Sequence, residues 1–353
     1  MKALAVRPGV TNSGEMIELA PPDSAEGAIL VRGLAIGICG TDVEIMEGAY
    51  GQAPADDDRL ILGHESLGEV IEAAAGTGFS PGQLVVGVVR RPDPEPCDHC
   101  AIGEWDMCRS VHFRECGIKE QHGYAREMYR LDPQFAVVVD PRLGELGVLL
   151  EPASVVAKAC MLAVHFLKRT DVRAKTALVT GAGPIGLLAA LATRHYGLET
   201  HVVDVVDSGP KPDLVRDLGA HYHAGSAADL DISPEIVIEC TGIGSVLRVA
   251  GAKAGPGGVV ALTGISAVPA TEEVNLSLFN KKMVLENKVL FGSVNAARTH
   301  YEAAARVLSE ADPAWLGRLI SRRVPADHWP EALERQTDDV KVVLDINPRA
   351  RAA

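Results

Sequence analysis

Positive charge is scarce in this chain. Its 34 lysines and arginines face 47 aspartates and glutamates, a formal net charge of −13. That balance disfavours nonspecific binding to nucleic acid or to an anionic membrane surface. The sequence also lacks an uninterrupted apolar run of the roughly 18 residues that a membrane-spanning helix needs. Its start, Met1-Lys2-Ala3-Leu4-Ala5-Val6-Arg7, has one cation, a short apolar stretch and no cleavage-site pattern, so it reads as a first β-strand and not a leader. Internal repeats and low-complexity segments are missing too. The cysteines number seven, an odd count. The expected compartment is the cytoplasm, where thiols stay reduced, so metal binding or burial is expected of them before disulfides.

What is present begins with length. A chain of 353 residues holds two domains at about 150 residues each. Short β-type runs split by Gly and Pro fill residues 1 to 90, as in 27–32, 67–72 and 83–89, and predict a barrel-like β domain. Gly37-Ile38-Cys39-Gly40-Thr41-Asp42 and Gly63-His64-Glu65 both fall in this region. A thiolate, an imidazole and a carboxylate beside it, with Glu151 downstream, make a candidate open zinc site. Glu151 is expected in the loop leading to a helix over 153–168, with Pro152 tolerated at that helix start. Asn347 to Ala353 reads as a frayed tail.

A second cysteine group follows. Two residues separate Cys97 from Cys100, and seven separate Cys100 from Cys108. Three thiols in so short a loop point to a closed structural Zn²⁺ site. The fourth ligand stays open among Asp93, Asp98, His99, His112 and Cys116. The surrounding lobe, 92–116, is rich in proline (Pro92, Pro94, Pro96), as a protruding segment with little regular structure would be.

From Lys175 the pattern changes to strands alternating with helices, which implies a parallel, doubly wound sheet. The strand 176–180 runs into Gly181-Ala182-Gly183-Pro184-Ile185-Gly186, then a helix over 187–196, then a second strand ending in Asp204. Asp204 lies 23 residues beyond Gly181 (204 − 181). Strand, glycine turn, helix and a distal acid together form the dinucleotide fingerprint: the glycines admit the pyrophosphate, and the acid takes the ribose hydroxyls. Further strands end near Thr241, Gly264 and Asn295, which places these residues by the cofactor or substrate. A helix over 301–308 and a strand over 341–345 return the chain to the first domain.

In that order, the Cys39 loop, Gly63-His64-Glu65, the cysteine lobe and the glycine turn resemble the zinc-dependent medium-chain dehydrogenases/reductases along essentially the whole chain. A narrower resemblance is to the microbial glucose (aldose) dehydrogenase branch. It rests on Arg90-Arg91-Pro92, Glu115-Cys116-Gly117-Ile118, His122-Gly123-Tyr124, Leu150-Glu151-Pro152, Asn287-Lys288 and Gly292-Ser293-Val294-Asn295. The resemblance implies an α/β fold: a GroES-like β-barrel catalytic domain, 1–154 with 297–353, and a Rossmann coenzyme domain, 155–296. It implies a catalytic Zn²⁺ on Cys39 and His64, with Glu65 and Glu151 as carboxylate or water-mediated ligands. Thr41 would meet the substrate hydroxyl, and Thr41, or Glu65 through water, would pass its proton outward. Glu115, Glu151 and Asn295 would hold sugar hydroxyls. The expected assembly is a homodimer or homotetramer.

The chain departs from that pattern at three places. Pro94 stands where the lobe's first cysteine is usual, so another residue completes that site or the site is degraded. Asp204 is followed by Val205-Val206 and not by the arginine pair of NADP users, which predicts NAD as cofactor. Val89, Val155 and Leu285 stand where some members carry polar sugar contacts. The expected reaction is zinc- and NAD-dependent oxidation of an aldose to its lactone. The rival readings are a zinc dehydrogenase for a polyol, amino sugar or simple alcohol, and a nucleotide-binding protein without catalysis.

Overall fold

Ile29-Leu30-Val31-Arg32-Gly33-Leu34-Ala35-Ile36-Gly37-Ile38 forms one strand, Ile29–Ile38, buried along nearly its whole second half. β-branched and small residues suit a strand covered on both faces. In the computed structural model, which describes residues 1–110, 112–171, 173–265 and 273–347, this strand is central to the first of two compact units. The first unit comprises Met1–Ser154 and Asn295–Ala353, and the second comprises Val155–Val294. The chain therefore re-enters the first unit at Asn295, two residues before the expected boundary at 297. Of the tail expected to fray, 348–353 lies outside the described residues.

In the first unit, Ile29–Ile38 pairs antiparallel with Glu65–Ala73 on one side and Lys341–Asp345 on the other. Leu84–Gly87 and Ala136–Val138 extend the sheet beyond Glu65–Ala73, and Ile320–Pro325 extends it beyond Lys341–Asp345. The register sets Gly37 opposite Glu65 and Ile38 opposite Val342. The end of the central strand, the start of Glu65–Ala73 and the start of Lys341–Asp345 thus lie together at one end of these strands. Cys39 follows directly as the N-cap of the helix Gly40–Met46. Below them a core of Leu4, Ile29, Val31, Ile36, Leu60, Val70 and Tyr129 fixes the strands.

The second unit is a six-stranded parallel sheet. Its spatial order is His221–Ala224, Glu199–Asp204, Thr176–Thr180, Ile236–Glu239, Val259–Leu262, Val289–Gly292. The order reverses between Thr176–Thr180 and Ile236–Glu239, the switch point where doubly wound sheets bind ligands. Leu178, Val203, Val237, Val260 and Ala250 form its core.

Two expectations change. The helix begins at Leu150, so Glu151 sits in its first turn and not in the leading loop. Proline fits there because the first turn has no intrahelical N–H bond to lose. The stretch Gly144–Leu167 is also long and apolar enough to cross a membrane, but 78% of its most apolar window is buried inside the structure. Its apolarity is that of a core helix.

Candidate active site

Cys39, His64 and Glu65 come together. Cys39 Sγ lies 3.0 Å from His64 Nε2, and one ligand atom from each of the three residues falls within 4.8 Å of the others. Local structure aims each one. The thiol caps Gly40–Met46 and accepts the Thr41 N–H at 3.3 Å. Glu65 opens its strand opposite Gly37, where an added Cβ would collide with the Glu65 carboxylate, so only glycine leaves room for it. His64 and Glu65 are both buried.

Two supporting residues escaped the sequence reading. Asp42 is fully buried, accepts the Cys39 N–H at 3.0 Å through Oδ2 and sets Oδ1 3.5 Å from His64 Nδ1. An acid three residues after a helix cap is a capping-box signal, and that spacing was visible. Lys341 is buried and donates to both Glu65 oxygens at 2.6 and 2.5 Å, and to the Ile38 carbonyl at 3.1 Å. No local signal in the sequence marks it.

Anions crowd this site. Burial opposes a charged His64 ring, but Cys39 and Asp42 outweigh it and hold the imidazole well above its ordinary range. Burial, then Glu65, pushes Glu151 up to about 7, while His64 and Lys341 pull it back. Cys39, Asp42, Glu65 and Glu151 thus share a buried region with His64 and Lys341. A soft sulfur donor, an imidazole and carboxylates fit a Zn²⁺ ion. Asp42 acts on the ring from behind, as outer partners of metal-binding histidines do. Asp42→Asn, which keeps the shape and removes the charge, is expected to lower zinc affinity and kcat/KM by about 10- to 100-fold. A zinc titration showing wild-type affinity would take Asp42 out of this role.

Glu115 is buried and held from two sides. Arg90 reaches its Oε1 at 3.0 Å, and Asn295 donates its side-chain amide to the same oxygen. The Arg90 guanidinium stacks 3.7 Å over Phe113. Asn295 adopts a left-handed backbone (φ 59°) as the chain re-enters the unit.

In the lobe, the thiols of Cys97, Cys100 and Cys108 converge within 4.8 Å. Backbone N–H groups of Arg109 and Cys100 draw the Cys97 thiol down to about 6, and burial, with Cys108, pushes Cys100 up to about 11. Cys116 lies elsewhere, in the core of the unit and beside Tyr124. Asp93 is spent on the Glu95 N–H at 2.9 Å and the Ser110 hydroxyl, and His99 lies 2.8 Å from Glu104.

The second unit carries a cavity of about 330 Å³ lined by Thr180, Gly181, Asp204, Ser226, Thr241 and Arg248, among others. Gly183 caps the helix Pro184–His195 with open space where a Cβ would stand, and a Cβ on Gly186 would strike the Gly181 carbonyl. Pro184 and Ile185 begin that helix. Asp204 Oδ2 accepts the Ala182 N–H at 2.6 Å, and Oδ1 accepts the Val205 N–H at 2.7 Å. Buried Glu239 organises the Thr241–Gly242 turn by accepting both backbone N–H groups, at 2.7 and 3.2 Å. Gly264 backs the same turn through the Glu239 carbonyl at 3.1 Å. Room above Gly183 at a helix N-terminus, with an acid one strand away, fits a dinucleotide.

Comparison with known proteins agrees with this geometry. The model of the glucose dehydrogenase C-terminus matches residues 144–346, and that of the alcohol dehydrogenase GroES-like domain matches 25–141. Glucose 1-dehydrogenases of Thermoproteus tenax and Methanocella arvoryzae are 40% and 38% identical, each over 98% of this chain and 99% of the relative. The solved Haloferax mediterranei glucose dehydrogenase, in complex with NADP, Zn and gluconolactone, superimposes with a TM-score of 0.91. It is 29% identical and covers 99% of this chain and 100% of its own. The chain belongs to the glucose dehydrogenase family of the zinc-type, GroES-like medium-chain alcohol dehydrogenases.

Proposed function

We propose that this protein oxidises an aldose, glucose first among them, at the anomeric hydroxyl, giving the lactone and a reduced nicotinamide dinucleotide. The convergence of Cys39, His64 and Glu65 carries this reading, in a chain aligned almost end to end with glucose 1-dehydrogenases. Cys39 and His64, with Glu65 or Glu151, would hold a Zn²⁺ ion, which would supply Lewis acidity toward the sugar hydroxyl. The dinucleotide supplies the hydride acceptor.

The remaining work falls to side chains. Thr41, beside the thiol, accepts the hydroxyl proton at Oγ1 and passes it outward. Arg90 and Asn295 fix Glu115 through Oε1, so Oε2 is the oxygen offered to a sugar hydroxyl. Glu151 faces the same buried region from the first turn of its helix. The lobe thiols would hold a second, structural zinc. A homo-oligomer in the cytoplasm belongs to this reading.

Initial rates across aldoses, polyols and small alcohols test the substrate. Turnover of polyols with no activity on any aldose would sink the reading. For the cofactor we propose NAD, because the Asp204 carboxylate, followed by Val205, repels a 2′-phosphate. Arg248 favours a second reading, since it lines the same cavity and is a cation that phosphate can use. The expected result is a higher kcat/KM with NAD⁺ than with NADP⁺. The reverse order, abolished by Arg248→Ala, would establish the second reading.

A further inference from the structure

We propose that Glu199, His201 and His221 form a binding site for a divalent first-row transition ion at the start of one edge strand of the six-stranded sheet and of its neighbour. The strands Glu199–Asp204 and His221–Ala224 run parallel, with His201 opposite His221 and Val203 opposite His223. Side chains alternate along a strand, so Glu199, His201, His221 and His223 share one face. Glu199 Oε1 lies 3.5 Å from His201 Nε2 and 3.5 Å from His221 Nε2. All three ligand atoms fall within 4.8 Å of one another. An ion with bonds of about 2.0–2.1 Å to nitrogen and oxygen sets tetrahedral ligand atoms roughly 3.3 Å apart. The site therefore needs only small side-chain adjustments to close on an ion.

The fourth residue of the cluster can support the tautomer that a metal needs. His223 Nε2 lies 2.9 Å from His201 Nδ1. With the proton on His201 Nδ1 and His223 accepting, His201 turns an unprotonated Nε2 toward Glu199. A hydrogen-bonded partner on the far ring nitrogen is the usual support of a metal-binding histidine. The rings are stacked, His201 on His221 at 4.8 Å and His201 on His223 at 5.2 Å between centroids. Burial pushes both His201 and His223 below the ordinary histidine range, toward the neutral form that binds metal.

Two imidazoles and a carboxylate select Zn²⁺, Co²⁺, Ni²⁺ or Cu²⁺ over Mg²⁺ or Ca²⁺. The site is separate from the nucleotide turn. His201 precedes Asp204 by three residues, roughly 10 Å along the strand, toward the opposite end of the sheet. Glu199 and His221 are exposed, so solvent reaches the ion's open positions. A bound ion would pin the edge strand to its neighbour, which makes its role structural and not catalytic.

The experiment uses the zinc-loaded full-length enzyme. Wild type and the double variant Glu199→Gln/His221→Ala are dialysed to equilibrium against micromolar free Zn²⁺, and bound metal is counted per chain. Both substituted residues are exposed, and unchanged glucose turnover with a native circular dichroism spectrum verifies the fold. Wild type is expected to hold one ion more than the variant, and to gain thermal stability on added Zn²⁺ that the variant does not gain. Equal metal counts in the two proteins would overturn the proposal. Should the variant fail to fold, the single variant His221→Gln takes its place with the same two outcomes.

Discussion

Cys39→Ala is expected to lose the active-site zinc and to lower kcat/KM for glucose by on the order of 10³-fold or more. Lewis-acid activation of a hydroxyl contributes several kcal/mol to a transition state, and each 1.36 kcal/mol is about tenfold in rate. Cys39 Sγ stands 3.0 Å from His64 Nε2 and caps the helix Gly40–Met46. Removing it takes away a metal donor and a helix cap in one step. The cap contributes only about 1 kcal/mol, and Asp42 still accepts the Cys39 backbone N–H at 3.0 Å. The chain should therefore fold while catalysis collapses. Metal analysis with circular dichroism and initial rates separates the two effects. Metal held by Cys97, Cys100 and Cys108 should be untouched, because those thiols form their own group. A folded Cys39→Ala protein with wild-type rates would remove Cys39 from the site.

Much of this architecture was legible because its signals are local. Gly181-Ala182-Gly183-Pro184-Ile185-Gly186 lies between strand and helix, and Gly186 has to be glycine since a Cβ would meet the Gly181 carbonyl. The alternation of apolar strands and helices gave the parallel sheet for the same reason: strands buried on both faces are continuous apolar runs. The edge strand His221–Ala224 was missed. An edge strand has only one neighbour and an exposed face, so His221-Tyr222-His223-Ala224 carries no apolar run to find. Glu151 was placed one turn too early because Pro152 reads as a boundary, although helices accept proline in their first turn.

The site was legible in its donors and not in its counter-charge. Cys39 and His64 each adjoin a glycine, and Glu65 follows His64 directly. Their surroundings depend on strand register, which a single sequence does not display. Lys341 is 276 residues from Glu65 in the chain. Preceding Val342-Val343-Leu344, it reads as an ordinary solvated residue at a strand start. Only the pairing of Lys341–Asp345 with Ile29–Ile38 brings it beside the carboxylate. Asn295 and Glu115 are separated by 180 residues and meet for a similar reason.

Lys341→Met is expected to destabilise the metal-free protein by about 3–5 kcal/mol, the usual loss when one partner of a buried ion pair is removed. Both side chains are nearly inaccessible, 2% and 3% exposed for Lys341 and Glu65. Methionine fills much of the same volume, so the loss is electrostatic: the buried Glu65 carboxylate is left with no ammonium beside it. Glu65→Gln on top of Lys341→Met removes the stranded charge and should recover part of the stability, a coupling that a double-mutant cycle measures. Zinc sharpens the test. Glu65 groups with Cys39 and His64, so a divalent ion among them offsets the carboxylate charge that Lys341 otherwise balances. The destabilisation in urea should therefore be smaller with zinc bound than after chelation. An equal loss in both states would mean that Glu65 belongs to Lys341 alone and has no share in holding the metal.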